Sequence, residues 1–200
     1  MVIRSYFNEK AETWDVMVAE KDSSKLRGMV ERLHIAPGAK VLDVGTGTGV
    51  FLPFLLEEVG KNGQIVAIDV AEKMLCKAQS KNLGGNTVYI CADVIDIPVE
   101  GGQFDAVVCY SSFPHFQDKL KAMREINRVM KNGGRLHICH TSSRSTINEI
   151  HENLPVVTND TIPGENDMQK LLSASGFTDI SIDDNPDSYL CQATKHINLI

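Results

Sequence analysis

The sequence predicts a doubly wound α/β fold, with a mostly parallel sheet of about seven strands and a C-terminal antiparallel hairpin. Short apolar runs alternate with amphipathic stretches, which is typical of a parallel sheet covered by helices. The 200 residues fit one domain of this kind, and 42% hydrophobic against 23% charged residues suffices for a sizeable core. Two short β-type runs, TDISIDD and SYLCQAT, flank Asn185-Pro186 and predict the hairpin.

The predicted elements follow one another in a regular order. Two helices, over 9–20 and 22–34, precede five strand–helix units. Strands are predicted at 40–45, 64–70, 87–93, 104–111 and 135–141, with helices at 50–60, 71–83 and 118–131. A polar segment over 142–164, with a helix over 144–153, interrupts the alternation, and a helix over 167–177 precedes the hairpin.

Charge and cysteine content exclude several classes of function. Lys and Arg total 20 and Asp and Glu total 26, a net charge of −6 that repels phosphate backbones and excludes nucleic acid as a partner. The longest apolar runs are shorter than a membrane span, and MVIRSYFNEKAETWD lacks the apolar block of a signal peptide. The five cysteines form no CxxC pair, and those in VYICAD, AVVCYS and LHICHT predict reduced core residues. We expect a cytoplasmic protein without a membrane partner.

A glycine loop, Asp43–Gly49, lies between the first predicted strand and the helix that follows it. Glycines let the backbone approach a ligand closely, and the start of a helix attracts negative groups. The spacing GxGxG is shorter than the GxGxxG of dinucleotide-binding proteins. A tight turn without a ligand is the alternative interpretation.

Acidic residues after successive strands distinguish the ligands that this loop could bind. Asp69 ends the second strand, 20 residues after Gly49, where a carboxylate can accept both hydroxyls of a ribose. Asp93 follows the third strand, on the side expected for an adenine edge. Asp43 directly precedes the loop, where its charge would repel a pyrophosphate but suit an ammonium and a sulfonium group.

Five segments resemble, in order and spacing, the successive motifs of class I S-adenosylmethionine-dependent methyltransferases. They are VLDVGTGTG, IVAIDVAEKML, CADVIDIP, FDAVVCYSSFPHF and INRVMKNGGRLHI. The variant is most similar to the quinone-methyltransferase-like small-molecule group, and the resemblance covers roughly residues 5–141. It implies a Rossmann-like fold, S-adenosylmethionine as cofactor, and an enzyme that methylates oxygen, nitrogen, sulfur or carbon of a small molecule. Beyond Thr141 the chain departs from the quinone-type pattern.

We expect a division of the single domain, residues 1–200, into functional parts. Residues 1–34 form N-terminal lid helices, and 38–141 form the cofactor-binding core. Residues 142–164 form a substrate-side segment, and 165–200 form the closing helix and hairpin.

Roles for individual cofactor-binding residues follow from the same resemblance. Asp43 would hold the ammonium, and the loop residues Gly45, Thr46, Gly47 and Gly49 would cradle the methionine part. Asp69 would bind the ribose and Val70 would flank the adenine. Asp93 would accept a hydrogen bond from the adenine amino group, and the backbone of Val94 would donate one to the adenine. The carbonyl of Cys109 or Tyr110 would lie near the methionine part. Tyr6 and Trp14, in SYFNEKAETWD, are candidate covers of the site, although Trp14 equally suits a core position.

The acceptor end is predicted from polar residues after the fourth and fifth strands. His115, His140 and His151 are candidate catalytic groups. Arg144, Asn148 and His151 share one helix face, at i, i+4 and i+7, beside Ser143. We expect substrate binding by Tyr6, Ser143, Arg144 and Asn148, and a solvated helix face is the alternative. A metal is not expected, because two histidines without a third ligand make an incomplete site.

Two further classes of function remain open at this point. Asp69 alone would also permit a nicotinamide-dependent oxidoreductase. A non-catalytic protein that binds S-adenosylmethionine, as a sensor or scaffold, would carry the same loop. The polar segment after the fifth strand favours an enzyme.

Overall fold

A computed structural model describes residues 2–84 and 86–196. The helices are α1 (Val2–Lys10), α2 (Trp14–Met17), α3 (Ser23–Leu33), α4 (Leu52–Val59), α5 (Glu72–Ser80), α6 (Lys119–Val129), α7 (Arg144–Glu152) and α8 (Glu165–Ser173). The strands are β1 (Lys40–Val44), β2 (Gln64–Asp69), β3 (Thr87–Cys91), β4 (Phe104–Tyr110), β5 (Met130–His140), β6 (Phe177–Asn185) and β7 (Ser188–Lys195). A 3₁₀ turn, Phe113–His115, follows β4.

The seven strands form one sheet in the order β3-β2-β1-β4-β5-β7-β6. Strands β1 to β5 pair in parallel, whereas β7 is antiparallel to both β5 and β6. The doubly wound sheet with a C-terminal antiparallel hairpin is therefore confirmed. Because the strand order reverses between β1 and β4, a crevice opens at their carboxyl ends, where ligands bind in folds of this kind.

Apolar side chains bury both faces of the sheet, as β1 illustrates. Val41 packs on one face with Leu33 of α3 and Leu55 of α4. Leu42 packs on the other face, in a cluster that includes Met123 of α6. Helices on both sides thus cover the continuous apolar runs that distinguish a parallel sheet from a half-exposed one.

The N-terminal segment differs from its prediction. A single helix was expected over 9–20, but α1 begins at Val2 and a turn at 11–13 separates it from α2. Ala11 in this turn is buried beside Met74 of α5, with Phe7 and Trp14 packed around it. This tertiary contact folds the two short helices onto α5 instead of continuing one helix.

Two smaller predictions are corrected at the sheet. Cys91 was expected in the core but is exposed, because β3 is an edge strand. The fifth strand was expected from residue 135, but β5 begins at Met130, which pairs with Phe104.

Every helix in the described ranges is too short or too polar to span a bilayer.

Candidate active site

A cavity of about 420 Å³ lies at the carboxyl ends of β1, β2, β4 and β5. Its walls are the loop after β1, the turns after β2, β3 and β4, and the start of the segment after β5. Residues 3–20 cover it from the N-terminal side, and α7 borders the opposite end. The cavity thus has a glycine-loop end and a second end formed by side chains from distant parts of the chain.

The glycine loop turns tightly after β1 because its glycines adopt positive φ angles. At Gly45, with φ +70°, an added Cβ would lie 2.5 Å from Cβ of Ser112. At Gly47 an added Cβ would meet nothing within 4 Å, so its backbone is accessible from the cavity. Gly49 does not line the cavity, and its Cβ would lie 3.0 Å from Ala78 of α5. The first two glycines shape the ligand wall, and the third permits close packing of helices.

Asp69 connects the glycine loop to the end of β2. Its Oδ2 accepts a hydrogen bond from the Gly47 amide at 2.8 Å, and its Oδ1 accepts one from Ala71 at 2.7 Å. The carboxylate is buried at the cavity wall, and this burial raises its pKa. Asp69 therefore fixes the loop conformation while facing the cavity.

The other two predicted carboxylates occupy different environments. Asp93 lines the cavity on the turn after β3, where its Oδ1 accepts a hydrogen bond from the Ile95 amide at 3.1 Å. Asp43 is buried in β1 and is not among the lining residues. Burial raises the pKa of Asp43 to about 7, and the charge of Asp69 contributes in the same direction. Two of the three carboxylates therefore share the cavity, and the third lies behind its wall.

The remaining predicted cofactor-binding residues also fall into two groups, those that line the cavity and those that lie outside it. Thr46, Val70, Val94 and Tyr110 line the cavity, whereas Cys109 is buried in the core outside it. The hydroxyl of Tyr110 lies 3.2 Å from that of Thr141, and its ring stacks on Phe51 with centroids 4.4 Å apart. Stacking and burial hold this ring, and burial raises its pKa to about 12.

The structure brings the three predicted histidines to one end of the cavity. Nδ1 of His115 lies 2.8 Å from Oδ2 of Asp160, and the rings of His115 and His151 have centroids 4.8 Å apart. His140 is 2% exposed, and neither of its ring nitrogens has a hydrogen-bond partner among the described residues. Burial lowers the pKa of His140 to about 3, so its ring is neutral at physiological pH.

The four predicted substrate-binding residues lie outside the cavity lining. Arg144 is turned toward the hairpin, where its Nε lies 3.2 Å from Asp184 Oδ2. Asn148 binds both backbone groups of Ile162, and Ser143 caps α7 by accepting from the Thr146 amide. Tyr6 packs against Phe7, which lines the cavity in its place. These contacts place the four residues beside the cavity rather than on its wall, whereas His151 of the same polar row lines it.

Residues 2–20, the first part of the lid expected over 1–34, are joined by ion pairs to α5 and to Lys81, which directly follows it. They join Arg4 to Glu72 at 2.9 Å, Glu12 to Lys77 at 2.6 Å and Asp15 to Lys81 at 2.8 Å. Thr48 of the glycine loop donates a hydrogen bond to Asp15. The lid places Phe7 and Trp14 over the cavity, with ring centroids 5.4 Å apart. Trp14 lines the cavity and also packs against the buried cluster around Ala11, so its position is compatible with both of its interpretations.

Sequence reasoning missed Phe7, Glu20 and Asp160. Phe7 contacts His115 edge to face at 4.9 Å, and Glu20 accepts a hydrogen bond from Thr141 at 3.2 Å. The apolar residue beside Tyr6 was the available signal for Phe7. Nothing in the local pattern marks Asp160, which lies 45 residues from His115 in the sequence. Within residues 2–84 and 86–196, no group of three His, Cys, Asp or Glu side chains is arranged to hold a metal ion.

A doubly wound sheet with this loop and these acidic turns defines a Rossmann-like nucleoside-binding protein. Residues 42–138 match the family model described as a methyltransferase domain. The chain is 32% identical over 121 residues to the ubiquinone/menaquinone biosynthesis C-methyltransferase of Idiomarina loihiensis, covering 58% of this chain and 48% of that protein. It is 31% identical over 120 residues to the demethylmenaquinone methyltransferase of Staphylococcus haemolyticus, covering 60% and 50% respectively.

The chain spans about half the length of these curated relatives. A solved S-adenosylmethionine-dependent methyltransferase from Aquifex aeolicus shares the fold, with a TM-score of 0.76 and 24% identity over 94% of this chain and 98% of that one. The chain resembles the class I S-adenosylmethionine-dependent methyltransferase family, and the relatives that it matches include quinone methyltransferases.

S-adenosylmethionine is the cofactor of this family, and the glycine-loop end fits it. The backbone at Gly47 is open to the cavity, as close approach of a ligand requires. Thr46 lines the cavity beside this backbone. Asp69 and Asp93 supply negative charge toward a cationic nucleoside.

Proposed function

We propose that this protein is an enzyme that transfers a methyl group from S-adenosylmethionine to a small-molecule acceptor. The observation that carries the proposal is one continuous cavity with two chemically different ends. Gly47, Asp69 and Asp93 line one end, and Phe7, His115 and His140 line the other. A nucleoside cofactor and a second molecule can therefore meet in a space screened from solvent.

The cofactor would lie at the glycine-loop end. We assign the ribose hydroxyls to Asp69, the adenine amino group to Asp93, and the adenine faces to Val70 and Val94. The loop backbone at Gly45–Gly47 would hold the methionine part, with Asp43 adding charge from behind the wall. When bound, S-adenosylmethionine supplies an activated methyl group on a positively charged sulfur.

The protein's own part in the reaction is to orient the acceptor and exclude water. Phe7 and Trp14 cover the cavity, and Ile147 adds an apolar wall. The neutral ring of His140 lines this end, and the side chain of His115 offers a hydrogen-bonding group there. The geometry is compatible with oxygen, nitrogen, sulfur or carbon as the methylated atom.

The proposed partner is a dissolved small molecule rather than a macromolecule. A cavity of about 420 Å³ is within the size range of small-molecule sites. The net charge of −6 disfavours nucleic acid. We place the activity in the cytoplasm.

Calorimetric titration with S-adenosylhomocysteine and with NAD tests the cofactor, and a panel of acceptors with methyl-labelled S-adenosylmethionine tests the reaction. We expect S-adenosylhomocysteine to bind and label to reach a small molecule. NAD binding without a response to S-adenosylhomocysteine would indicate an oxidoreductase. Cofactor binding without transfer to any acceptor would indicate a non-catalytic binding protein.

A further inference from the structure

Asp160, in the segment after α7, contacts two histidines of the cavity through two different groups. Its Oδ2 lies 2.8 Å from Nδ1 of His115, and its backbone oxygen lies 2.5 Å from Nδ1 of His151. A backbone oxygen only accepts hydrogen bonds, and so does an ionised carboxylate. Both neutral rings must therefore carry hydrogen on Nδ1, which leaves Nε2 of each ring as a proton acceptor.

The two rings stand side by side at the acceptor end. Their centroids are 4.8 Å apart with an angle of 44° between their planes, and both rings line the cavity. Phe7 packs edge to face against His115 at 4.9 Å. The nearby wall is apolar, with Phe116, Ile147 and Ile150. The site thus combines proton-accepting nitrogens with surfaces that suit an apolar molecular body.

Contacts outside the cavity hold Asp160 in place. Asn148 of α7 donates to the Ile162 oxygen at 3.1 Å and accepts from the Ile162 amide at 2.9 Å. Ile162 is buried in the main core, and the Asp160 amide donates to the Val157 oxygen at 2.8 Å. Asp160 itself is 8% exposed. Its position is therefore set before any ligand binds, as a preorganised site requires.

Charged and titratable groups from several elements face this pair. Lys119 of α6 lies close enough to interact with Asp160, and its ammonium donates to the carbonyls of Pro114 and Phe116. Asp69 at the end of β2 interacts with His115, as does the neutral His140 of β5. The Gln117 amide lies 3.4 Å from Asp160 Oδ1.

We propose that Asp160 is a positioning residue that fixes the tautomer of His115 and His151 and makes His115 the group that takes a proton from the acceptor. This inference rests on the proposed methyl transfer and specifies its substrate class. The methylated atom carries an acidic hydrogen, as a phenolic hydroxyl or a thiol does, on an apolar body.

The reaction is balanced without a further reactant. The acceptor oxygen or sulfur bonds to the methyl carbon as its bond to hydrogen breaks, and the proton goes to Nε2 of His115. The electron pair of the broken carbon–sulfur bond stays on the cofactor's sulfur, which is left as a neutral thioether.

Nitrogen NMR of the protein labelled with ¹⁵N-histidine, with S-adenosylhomocysteine added, measures the tautomers directly. We expect Nδ1–H for both His115 and His151. In Asp160→Asn, His115 should lose this preference while His151 keeps it, because the partner of His151 is a backbone oxygen that the substitution leaves in place. Nε2–H on His115 in the unaltered protein would overturn the proposal.

Turnover of phenol and thiol acceptors gives the second readout. We expect His115→Gln to lower kcat about 10²–10⁴-fold. Asp160→Asn should lower kcat at least about tenfold with KM little changed. In a His115→Gln background, Asp160→Asn should cause almost no further decrease in kcat, because Asp160 acts through the ring of His115. Asp187→Asn, the same substitution in the exposed hairpin turn, is the matched control.

The outcomes separate this inference from the proposed function. If the unaltered protein fails to bind S-adenosylhomocysteine, the methyltransferase proposal itself is wrong. If binding and turnover are normal but Asp160→Asn leaves kcat and the His115 tautomer unchanged, only the role of Asp160 is refuted. Turnover restricted to amines would refute the substrate class.

Discussion

The two ends of the cavity are built in different ways. The glycine-loop end consists of backbone and acidic side chains at the ends of β1, β2 and β3, each adjacent to a strand that the sheet already orders. The opposite end consists of side chains from residues 7, 115, 140 and 151, which only tertiary packing brings together. The first end is prescribed by local sequence and topology. The second depends on a few side-chain contacts between distant segments.

This difference predicts which substitutions should disrupt each end of the cavity most strongly. Gly45→Ala should cause the largest loss, because the new Cβ would lie 2.5 Å from Cβ of Ser112 at a φ of +70°. We expect about 2–4 kcal/mol less unfolding free energy, from backbone strain and overpacking together. Denaturant unfolding measures it. Gly38→Ala, with φ +82° but open space around the site, should lose clearly less. Equal losses would mean that the contact with Ser112 is unimportant.

The acceptor end should respond to acid through His140. Burial lowers the pKa of His140 to about 3 in the folded chain. Between about pH 6.5 and about pH 3, His140 is therefore protonated in the unfolded chain but neutral in the folded chain. Stability due to this residue is complete above about pH 6.5 and declines as pH falls toward 3, by about 1.4 kcal/mol per pH unit.

The free energy of unfolding, measured from about pH 6 to about pH 4, should therefore change less with pH in His140→Gln than in the unaltered protein. The two slopes should differ by about 1.4 kcal/mol per pH unit. The raised pKa of Asp43 makes stability depend on pH in the opposite direction. This contribution is the same in both proteins, so it cancels from the difference between their slopes. His196→Gln, at an exposed position, is the control. Identical slopes in all three proteins would contradict a buried neutral His140.

Asp69→Ala tests the glycine-loop end through ligand affinity. It removes the acceptor of the Gly47 and Ala71 amides together with the carboxylate that faces the ligand. We expect weaker S-adenosylhomocysteine binding by about 1–3 kcal/mol, measured by calorimetry. Asp96→Ala, an exposed carboxylate on the turn after β3, should bind normally. An unchanged dissociation constant for Asp69→Ala would remove this residue from the site.

Arg144→Ala should have the smallest effect. Its partner is Asp184 on the hairpin, in a partly exposed ion pair that contributes at most about 1 kcal/mol. We expect KM for the acceptor to stay within about twofold, in steady-state measurements. A large rise in KM would restore the substrate-binding role that the sequence predicts and would show that α7 turns during catalysis.

Much of the fold was predictable, because the strands of a parallel sheet are continuous apolar runs. The predicted strand over 64–70 and the observed β2 differ by one residue, and the helix over 144–153 corresponds closely to α7. The break between α1 and α2 was not predictable, since it depends on Ala11 packing against α5. Helical periodicity carries no information about such a contact.

The candidate site was predictable to the extent that it follows the ends of strands. Asp69 and Asp93 were found because a motif and a strand end coincide there. His115, His140 and His151 were found one by one, but Asp160, which connects two of them, has no local signal. The contact of Arg144 with the hairpin was not predictable, because helical spacing identifies a face of α7 without revealing which neighbour that face meets.

The ion pairs between the lid and α5 have a kinetic consequence. Charges this exposed hold together weakly in water, and added salt weakens them further. They therefore add little to the attachment of residues 2–20, which depends mainly on Ala11, Phe7 and Trp14 packed beside Met74 of α5. Salt should change the rate at which this segment separates from α5 only slightly, whereas loss of the apolar contacts should change it strongly.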